Sequence, residues 1–282
     1  MEVLNNGNEL NAYIKAQKAN NKSIGFAPTM GALHKGHLSL YEQARKENDI
    51  VVCSIFVNPT QFNNAEDLEK YPRTIDKDLK LLKESNLVDA VYIPRVEDIY
   101  PEETKSKTYD FGGIENEMEG KFRPGHFDGV GTVVETLLRQ VQPNKAYFGE
   151  KDYQQLAIIR KLVAITELPI EIVGVPIYRN EEGLALSSRN ARLTEEQRNH
   201  ATFIHKSLKK VNEWFRVLSI KEINQRITEM YEAEDDMQLE YFIIADEETL
   251  KETDFFYKDR HYRAFIVVYV GEVRLIDNMH LD

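Results

Sequence analysis

Cysteine is almost missing from this chain: Cys53 stands alone. That excludes an internal disulfide, a cysteine-rich zinc site and an iron–sulfur cluster, and it fits a reducing compartment. No run approaches the roughly 18 apolar residues of a membrane-spanning helix. The N-terminal stretch MEVLNNGNELNAYIKAQKANN lacks the apolar segment of a secretory signal, so a cytoplasmic location is expected. Positive charge is in deficit, with 36 Lys+Arg against 47 Asp+Glu and a formal net charge of -11. Binding of nucleic acid or anionic membrane by bulk charge is therefore not expected, although a small basic site for a phosphate ligand remains open. Neither G-x-x-x-x-G-K-[ST] nor G-x-G-x-x-G occurs, which weighs against kinase-like and dehydrogenase readings. There is no internal repeat and no low-complexity tract.

What is present is an alternation of short apolar strands and amphipathic helices over 282 residues, enough for one large domain or two modest ones. A surface helix is predicted over 8–19 and a strand over 23–27, stopped at Pro28. A helix follows from His34 to Glu47. The run IVVCSIFV (50–57) is nearly all apolar and β-branched, the habit of a strand buried on both faces of a parallel sheet. Then come a helix over 75–85, a strand over 89–93, a glycine-rich lead-in at 125–131 to a helix over 133–141, a strand over 145–148, a helix over 152–165 and a strand over 170–175. This order predicts βαβ units on a largely parallel, Rossmann-like sheet, an α/β domain over residues 1–176. Helices over 194–215 and 220–233 and strands over 241–245, 263–269 and 273–276 predict a smaller C-terminal α+β domain over 177–282. Thr194 is a candidate cap for the first of these helices.

The most informative segment is Pro28-Thr29-Met30-Gly31-Ala32-Leu33-His34-Lys35-Gly36-His37. Two histidines three apart at a helix start lie on one side of it. A helix N-terminus offers N–H groups and partial positive charge to a phosphate, and Gly31 and Gly36 let backbone approach a ligand. Together these could hold the phosphates of a nucleotide. The plainer alternative is a pair of surface histidines in a glycine-containing loop. The remaining histidines show no metal spacing, so no protein-held metal is assigned.

PTMGALHKGH resembles the H-x-G-H element of the nucleotidyltransferases and class I aminoacyl-tRNA synthetases. Further blocks, IFVNPTQF (55–62), YPRT (71–74), RPGHFDGV (123–130), FGEKDYQQL (148–156), IVGVP (172–176), LALSSRN (184–190) and RLIDN (274–278), are similar in order to the pantothenate synthetase (pantoate–β-alanine ligase) family over nearly the whole chain. The resemblance implies a Rossmann-like parallel sheet with an HxGH core plus a C-terminal lid domain. It also implies ATP-dependent condensation of pantoate with β-alanine through a pantoyl adenylate, giving pantothenate, AMP and diphosphate. ATP accompanied by Mg2+, and a homodimer, are implied as well; Asp76 and Asp78 are weighed for an indirect magnesium contact but not assigned.

Residue by residue, the resemblance implies that His34 and His37 meet phosphate, within a nucleotide loop of Met30, Gly31, Ala32, Leu33, Lys35 and Gly36. Met30 would also lie over pantoate. Gln61 and Gln155 would bind pantoate, an amide both donating and accepting, with Asn58 near the same pocket. Gly149, Glu150, Lys151 and Asp152 would form a second nucleotide turn, Lys151 on phosphate with a catalytic part and Asp152 on the ribose. Leu186, Ser187, Ser188 and Arg189 would form the loop that clamps pyrophosphate, Arg offering forked donors. Tyr178 is expected beside adenine, where a smaller residue is usual in the family, and Leu186 stands where many members have Met. Tyr71 and Arg73 are candidate wall residues. Cys53 reads as core, and the resemblance puts His126 and Asp128 close to the site or to the subunit interface, without direct chemistry. The rival readings are another adenylyl- or cytidylyltransferase and a non-catalytic nucleotide-binding module.

Overall fold

The computed structural model describes residues 1–63 and 65–282. They divide into two compact units: Met1–Glu150 with Gln154–Pro176, and Lys151–Tyr153 with Ile177–Asp282. No helix among the described residues is long and apolar enough to cross a membrane.

The first unit is built on six parallel strands: β1 (Glu2–Leu4), β2 (Ile24–Thr29), β3 (Ile50–Ile55), β4 (Ala90–Tyr92), β5 (Lys145–Gly149) and β6 (Glu171–Val175). Their order is β1-β4-β3-β2-β5-β6. The chain steps outward from β2 through β3 to β4, then crosses back to β5 on the other side of β2. The carboxyl ends of strands at such a reversal form the crevice where open α/β sheets bind ligands. The helices are α1 (Gly7–Ala19), α2 (Lys35–Glu47), α3 (Ala65–Lys70), α4 (Ile75–Ser85), α5 (Val96–Ile99), α6 (Glu119–Phe122), α7 (His126–Val141) and α8 (Tyr153–Ile165).

The apolar 50–57 run is a buried strand, but it ends at Ile55, where the chain turns into the Asn58–Gln61 segment. Cys53 is wholly buried, and burial pushes its thiol up to about 12, which removes it as a nucleophile at neutral pH. Pro28 does not stop β2; it pairs with Ser54, and Thr29 with Ile55. The ladder between β2 and β5 covers only Gly25 and Phe26, so on that side no donor is asked of Pro28. β1, an edge strand of three residues, was too short to show in the sequence pattern. The largest departure is α7, which begins at His126 and not at 133. Gly129 and Gly131 lie within it because neighbours leave no room for a side chain there. A Cβ on Gly129 would fall 2.6 Å from the Thr60 carbonyl oxygen, and one on Gly131 would meet the rings of Tyr109 and Phe111.

α7 also carries a buried carboxylate. Glu135 accepts from Lys107 Nζ (2.8 Å), Tyr109 Oη (2.7 Å) and Arg139 Nε (2.8 Å), tying the 107–109 segment to the helix. Burial pushes this carboxyl up, but the three donors outweigh burial and hold it down at about 2, against 4.5 for a free glutamate. A native value below the unfolded one gives stability that is complete above pH 4.5 and lost as pH falls toward 2. Glu135→Gln is expected to flatten that acid limb in urea unfolding curves; equal slopes in the two proteins would show that the cluster contributes nothing.

The second unit holds α9 (Glu195–His200), α10 (Thr202–Trp214) and α11 (Ile220–Glu232), with an antiparallel meander of β7 (Met237–Asp246), β8 (Tyr262–Val270) and β9 (Val273–Leu281). The single helix predicted over 194–215 is two. Thr194 caps α9 in a reciprocal box with Gln197, and Thr202 Oγ1 bonds the Asn199 carbonyl at 2.8 Å, tightening the chain at Ala201 before α10 starts. Ile204, Leu208 and Val211 of α10 and Ile223 and Ile227 of α11 pack on Tyr262, Ala264, Ile266 and Val268 of β8. The alternate residues Arg263 and Phe265 lie on the other face and are buried as well. The three strands run past their expected limits, with β9 continuing from 276 to Leu281.

Candidate active site

β2 delivers the histidine segment. Past Thr29 the backbone enters the left-handed region at Gly31 (φ 83°) and Ala32 (φ 51°). Glycine suits the first; alanine pays roughly 1 kcal/mol for the second, so the loop needs a strut. Asp78 of α4 supplies it. Its carboxylate, 2% exposed, accepts from the backbone N–H of Ala32 (3.0 Å) and Leu33 (2.8 Å) and from Thr74 Oγ1 (3.1 Å). A Cβ on Gly31 would sit 3.1 Å from that same carboxylate. Asp78 is thus committed to the loop.

His34 is the N-cap of α2, with extended backbone. Its Nδ1 accepts from the Gly36 N–H at 3.1 Å, and His37 Nδ1 accepts from the His34 N–H at 3.2 Å. The two imidazoles make the reciprocal box that Ser and Glu usually make, and their ring centres are 4.1 Å apart. A nitrogen that accepts carries no proton, so each neutral ring has its proton on Nε2 and presents an N–H donor there. The amides of Gly36 and His34 are thereby engaged by the rings. Lys35, between them, opens the helix and is exposed.

β3 delivers the second cluster. Asn58 is 1% exposed and fully used: its Nδ2 donates to Gln61 Oε1 (3.2 Å) and to the Gly129 carbonyl (3.1 Å), while its Oδ1 accepts from Tyr100 Oη (2.6 Å) and Thr60 Oγ1 (3.3 Å). Gln61 Nε2 donates to Met30 Sδ at 2.9 Å, which links the two loops. The Gln61 carbonyl is held by His126 Nδ1 at 2.8 Å. The amide of Gln61 retains one N–H and one lone pair beyond these bonds. Tyr71 packs edge-on to Phe62 at 5.5 Å, and Arg73 donates to the Leu68 and Glu69 carbonyls at the end of α3.

β5 ends at Gly149, and Glu150 follows. On α8 the two adjacent glutamines differ. Gln154 is buried and bonds the Glu119 N–H and the carbonyls of Ile114 and Glu117. Gln155 is half-buried and makes no side-chain hydrogen bond among the described residues.

In the second unit Lys151 Nζ lies 3.8 Å from Asp152 Oδ2, with the lysine mostly buried and the aspartate half-exposed. The chain from Tyr178 to Leu186 is a hairpin: Arg179 bridges Ala185, and the Leu186 N–H donates to the Tyr178 carbonyl at 3.0 Å. Tyr178 is 38% exposed. Ser187 caps the short turn Ser188–Arg192, its Oγ accepting from the Arg189 N–H at 3.3 Å, while Asn190 returns a bond to the Ser187 N–H. Beneath the hairpin a Cβ on Gly183 would clash with His205 at 2.7 Å.

A family model described as pantoate-beta-alanine ligase matches residues 2–280. The chain belongs to the pantoate–β-alanine ligase family. It is 48% identical over 281 residues to the pantothenate synthetase of Flavobacterium psychrophilum and 49% identical over 282 residues to that of Christiangramia forsetii, with 100% of each chain covered. Among solved structures it is similar to pantothenate synthetase from Thermus thermophilus (TM-score 0.90, 41% identity, 99% of both chains). It is also similar to pantoate-beta-alanine ligase from Francisella tularensis complexed with beta-gamma ATP and beta-alanine (TM-score 0.81, 36% identity, 99% of this chain and 97% of that one).

Within this pantoate–β-alanine ligase fold, several structural residues escaped sequence reasoning. Asp78 was weighed only for an indirect magnesium contact, and its bracing role was hidden because it is distant in sequence from the loop it holds. Gln154 was hidden by its neighbour, since nothing in a Gln-Gln pair says which one turns inward. Asp277 was visible only within the matched RLIDN block; it receives Arg179 through two bonds of 2.6 and 2.8 Å.

Proposed function

We infer that this chain is an ATP-dependent ligase that joins pantoate to β-alanine, yielding pantothenate, AMP and diphosphate. The observation that carries this is the match to the ligase family over residues 2–280. A pantoate carboxylate oxygen attacks the α-phosphorus of ATP and diphosphate leaves; the β-alanine amine then attacks the acyl carbon of the adenylate, AMP leaves and the amine gives up a proton. Carboxylate attack on phosphorus needs no base, so what the protein supplies is position and charge neutralisation.

In this reading His34 and His37 direct their Nε2–H donors at the phosphates, with Gly31, Ala32, Leu33, Lys35 and Gly36 as the surrounding loop. The reciprocal Nδ1 caps support that role, because they fix tautomer and ring orientation before substrate arrives. Gln61 and Gln155 take pantoate, which suits their uncommitted amide positions. Met30 lies between Gln61 and the histidine loop. Asn58 lies beside the same pantoate pocket, where its bond to Gln61 orients that amide. Lys151 serves phosphate, Asp152 the ribose, Gly149 and Glu150 the turn before them, and Tyr178 the adenine. Leu186, Ser187, Ser188 and Arg189 handle the departing diphosphate.

No group of three His, Cys, Asp or Glu able to hold a metal occurs among the described residues, and Asp78 is engaged with backbone N–H groups. The family resemblance supports a magnesium ion carried in on the ATP phosphates, where it would neutralise charge. It also supports a homodimer and a cytoplasmic location.

The reading is tested by ATP–diphosphate exchange. Labelled diphosphate should return into ATP when pantoate is present and β-alanine absent. Exchange with an unrelated acceptor and not with pantoate would favour another nucleotidyltransferase; ATP binding with no exchange under any acceptor would favour a binding module. A second expectation concerns Gly129. Its Cβ would press on the Thr60 carbonyl at 2.6 Å and on Gln61 Cα at 2.9 Å, so Gly129→Ala should destabilise by about 1–3 kcal/mol and raise KM for pantoate more than KM for ATP. Equal change in both constants would separate Gln61 from pantoate.

A further inference from the structure

Both segments of the second unit that carry proposed nucleotide contacts are fastened to two adjacent residues of β9. Asn278, 2% exposed, donates from Nδ2 to the Lys151 carbonyl at 2.8 Å and accepts at Oδ1 from Arg263 Nη1 at 2.6 Å. Arg263 in turn lies 4.0 Å over the ring of Tyr153 and donates from Nε to Glu247 at 2.7 Å. The Lys151–Tyr153 turn is thereby gripped at both ends. On the opposite face of the strand, Asp277 holds Arg179 through two bonds, and Arg179 Nη1 also donates to the Gly183 carbonyl at 3.2 Å. That clamps the base of the hairpin leading into Leu186–Arg189. The two anchors are themselves joined, because the Asn278 N–H donates to Asp277 Oδ1 at 2.8 Å.

We propose that Asp277 and Asn278 are positioning residues for the adenylation step, setting Lys151–Asp152 and the 186–189 loop in register with one another. The proposal rests on the roles given above to Lys151 and to that loop. Strand alternation explains how one dipeptide serves both: neighbouring side chains leave opposite faces of β9. The chemistry argues for more than holding the sheet together. Burying an ion pair and an amide in a strand costs desolvation, and apolar residues there would stabilise the sheet at least as well. What apolar residues could not do is fix a carbonyl and a guanidinium at set points. Holding the Lys151 carbonyl fixes the peptide that directs both the lysine and the aspartate side chains, and a displacement near 1 Å typically costs on the order of 10² in rate.

The test separates the two half-reactions. Asn278→Ala and Asp277→Asn should slow pantoate-dependent ATP–diphosphate exchange by about 10–100-fold. They should slow the reaction of preformed pantoyl adenylate with β-alanine several-fold less, because diphosphate has already left and only the Asp152 contact to the ribose is still in use. Asn278→Asp keeps an acceptor for Arg263 but loses the donor to Lys151, so it should behave like the alanine variant. If Asn278→Ala fails to fold by circular dichroism, Arg179→Lys, which retains charge but loses the forked bond to Asp277, reads the same split. Unchanged exchange, or an equal fall in both half-reactions that tracks lost thermal stability, would overturn the proposal. Lys151→Ala is the control. If it exchanges normally, the assignment of Lys151 to phosphate is wrong; if it loses exchange while the β9 variants keep it, only the positioning role fails.

Discussion

His37→Ala is expected to lower turnover by on the order of 10²–10³ while the protein remains folded. One preorganised donor at a developing charge is worth about that much. The same ring accepts the His34 N–H at 3.2 Å, so its removal also costs a helix cap, about 1 kcal/mol or a few degrees in Tm. The two effects can be parted. In His37→Asn a side-chain oxygen can again accept at the helix start, but no Nε2–H is present. Stability should return toward that of the parent and the rate should not. Rapid-quench measurement of AMP formation beside thermal melting decides it; near-normal AMP formation by a folded His37→Ala protein would remove the histidine from the reaction.

Asp78→Asn should damage stability and rate together. The carboxylate receives three donors, two of them backbone N–H groups of a loop that runs through left-handed φ at Gly31 and Ala32. An amide offers one acceptor oxygen and turns its own N–H toward another donor. Losing charge-assisted bonds to buried amides costs about 3 kcal/mol, and release of the loop displaces both histidines, for roughly a further 10² in rate. Urea unfolding and steady-state kinetics on the same preparation check this. A variant with normal ATP turnover would mean that the histidines hold their positions without the strut.

The parallel sheet was legible because β3 is apolar at nearly every position, which only a strand covered on both faces tolerates. The histidine segment was legible for a different reason: two histidines and two glycines beside a strand end have few other uses. Less visible was what depends on contacts remote in sequence. Gly129 and Gly131 read as a loop because helix propensity counts them as breakers, yet Thr60, Tyr109 and Phe111 need the room they leave. Pro28 read as a stop because the missing β5 partner at that position could not be seen. Histidine as a helix cap is outside the usual preference for Ser, Thr, Asp and Asn, so the His34–His37 box showed only in the structure. Asn58 was placed near the pantoate pocket by resemblance, and its bonds to Gly129 and Tyr100 join residues too far apart in sequence for the pattern to show.

The central claim, that pantoate is activated as its adenylate before the amine reacts, is tested most directly by oxygen-18. Pantoate labelled in its carboxylate, ATP and β-alanine are mixed with the enzyme for a single turnover, and AMP is analysed by mass. Attack by carboxylate oxygen on the α-phosphorus must leave one labelled oxygen on AMP, and diphosphate must form even when β-alanine is withheld. AMP without label, with diphosphate appearing only after β-alanine is added, would contradict the mechanism.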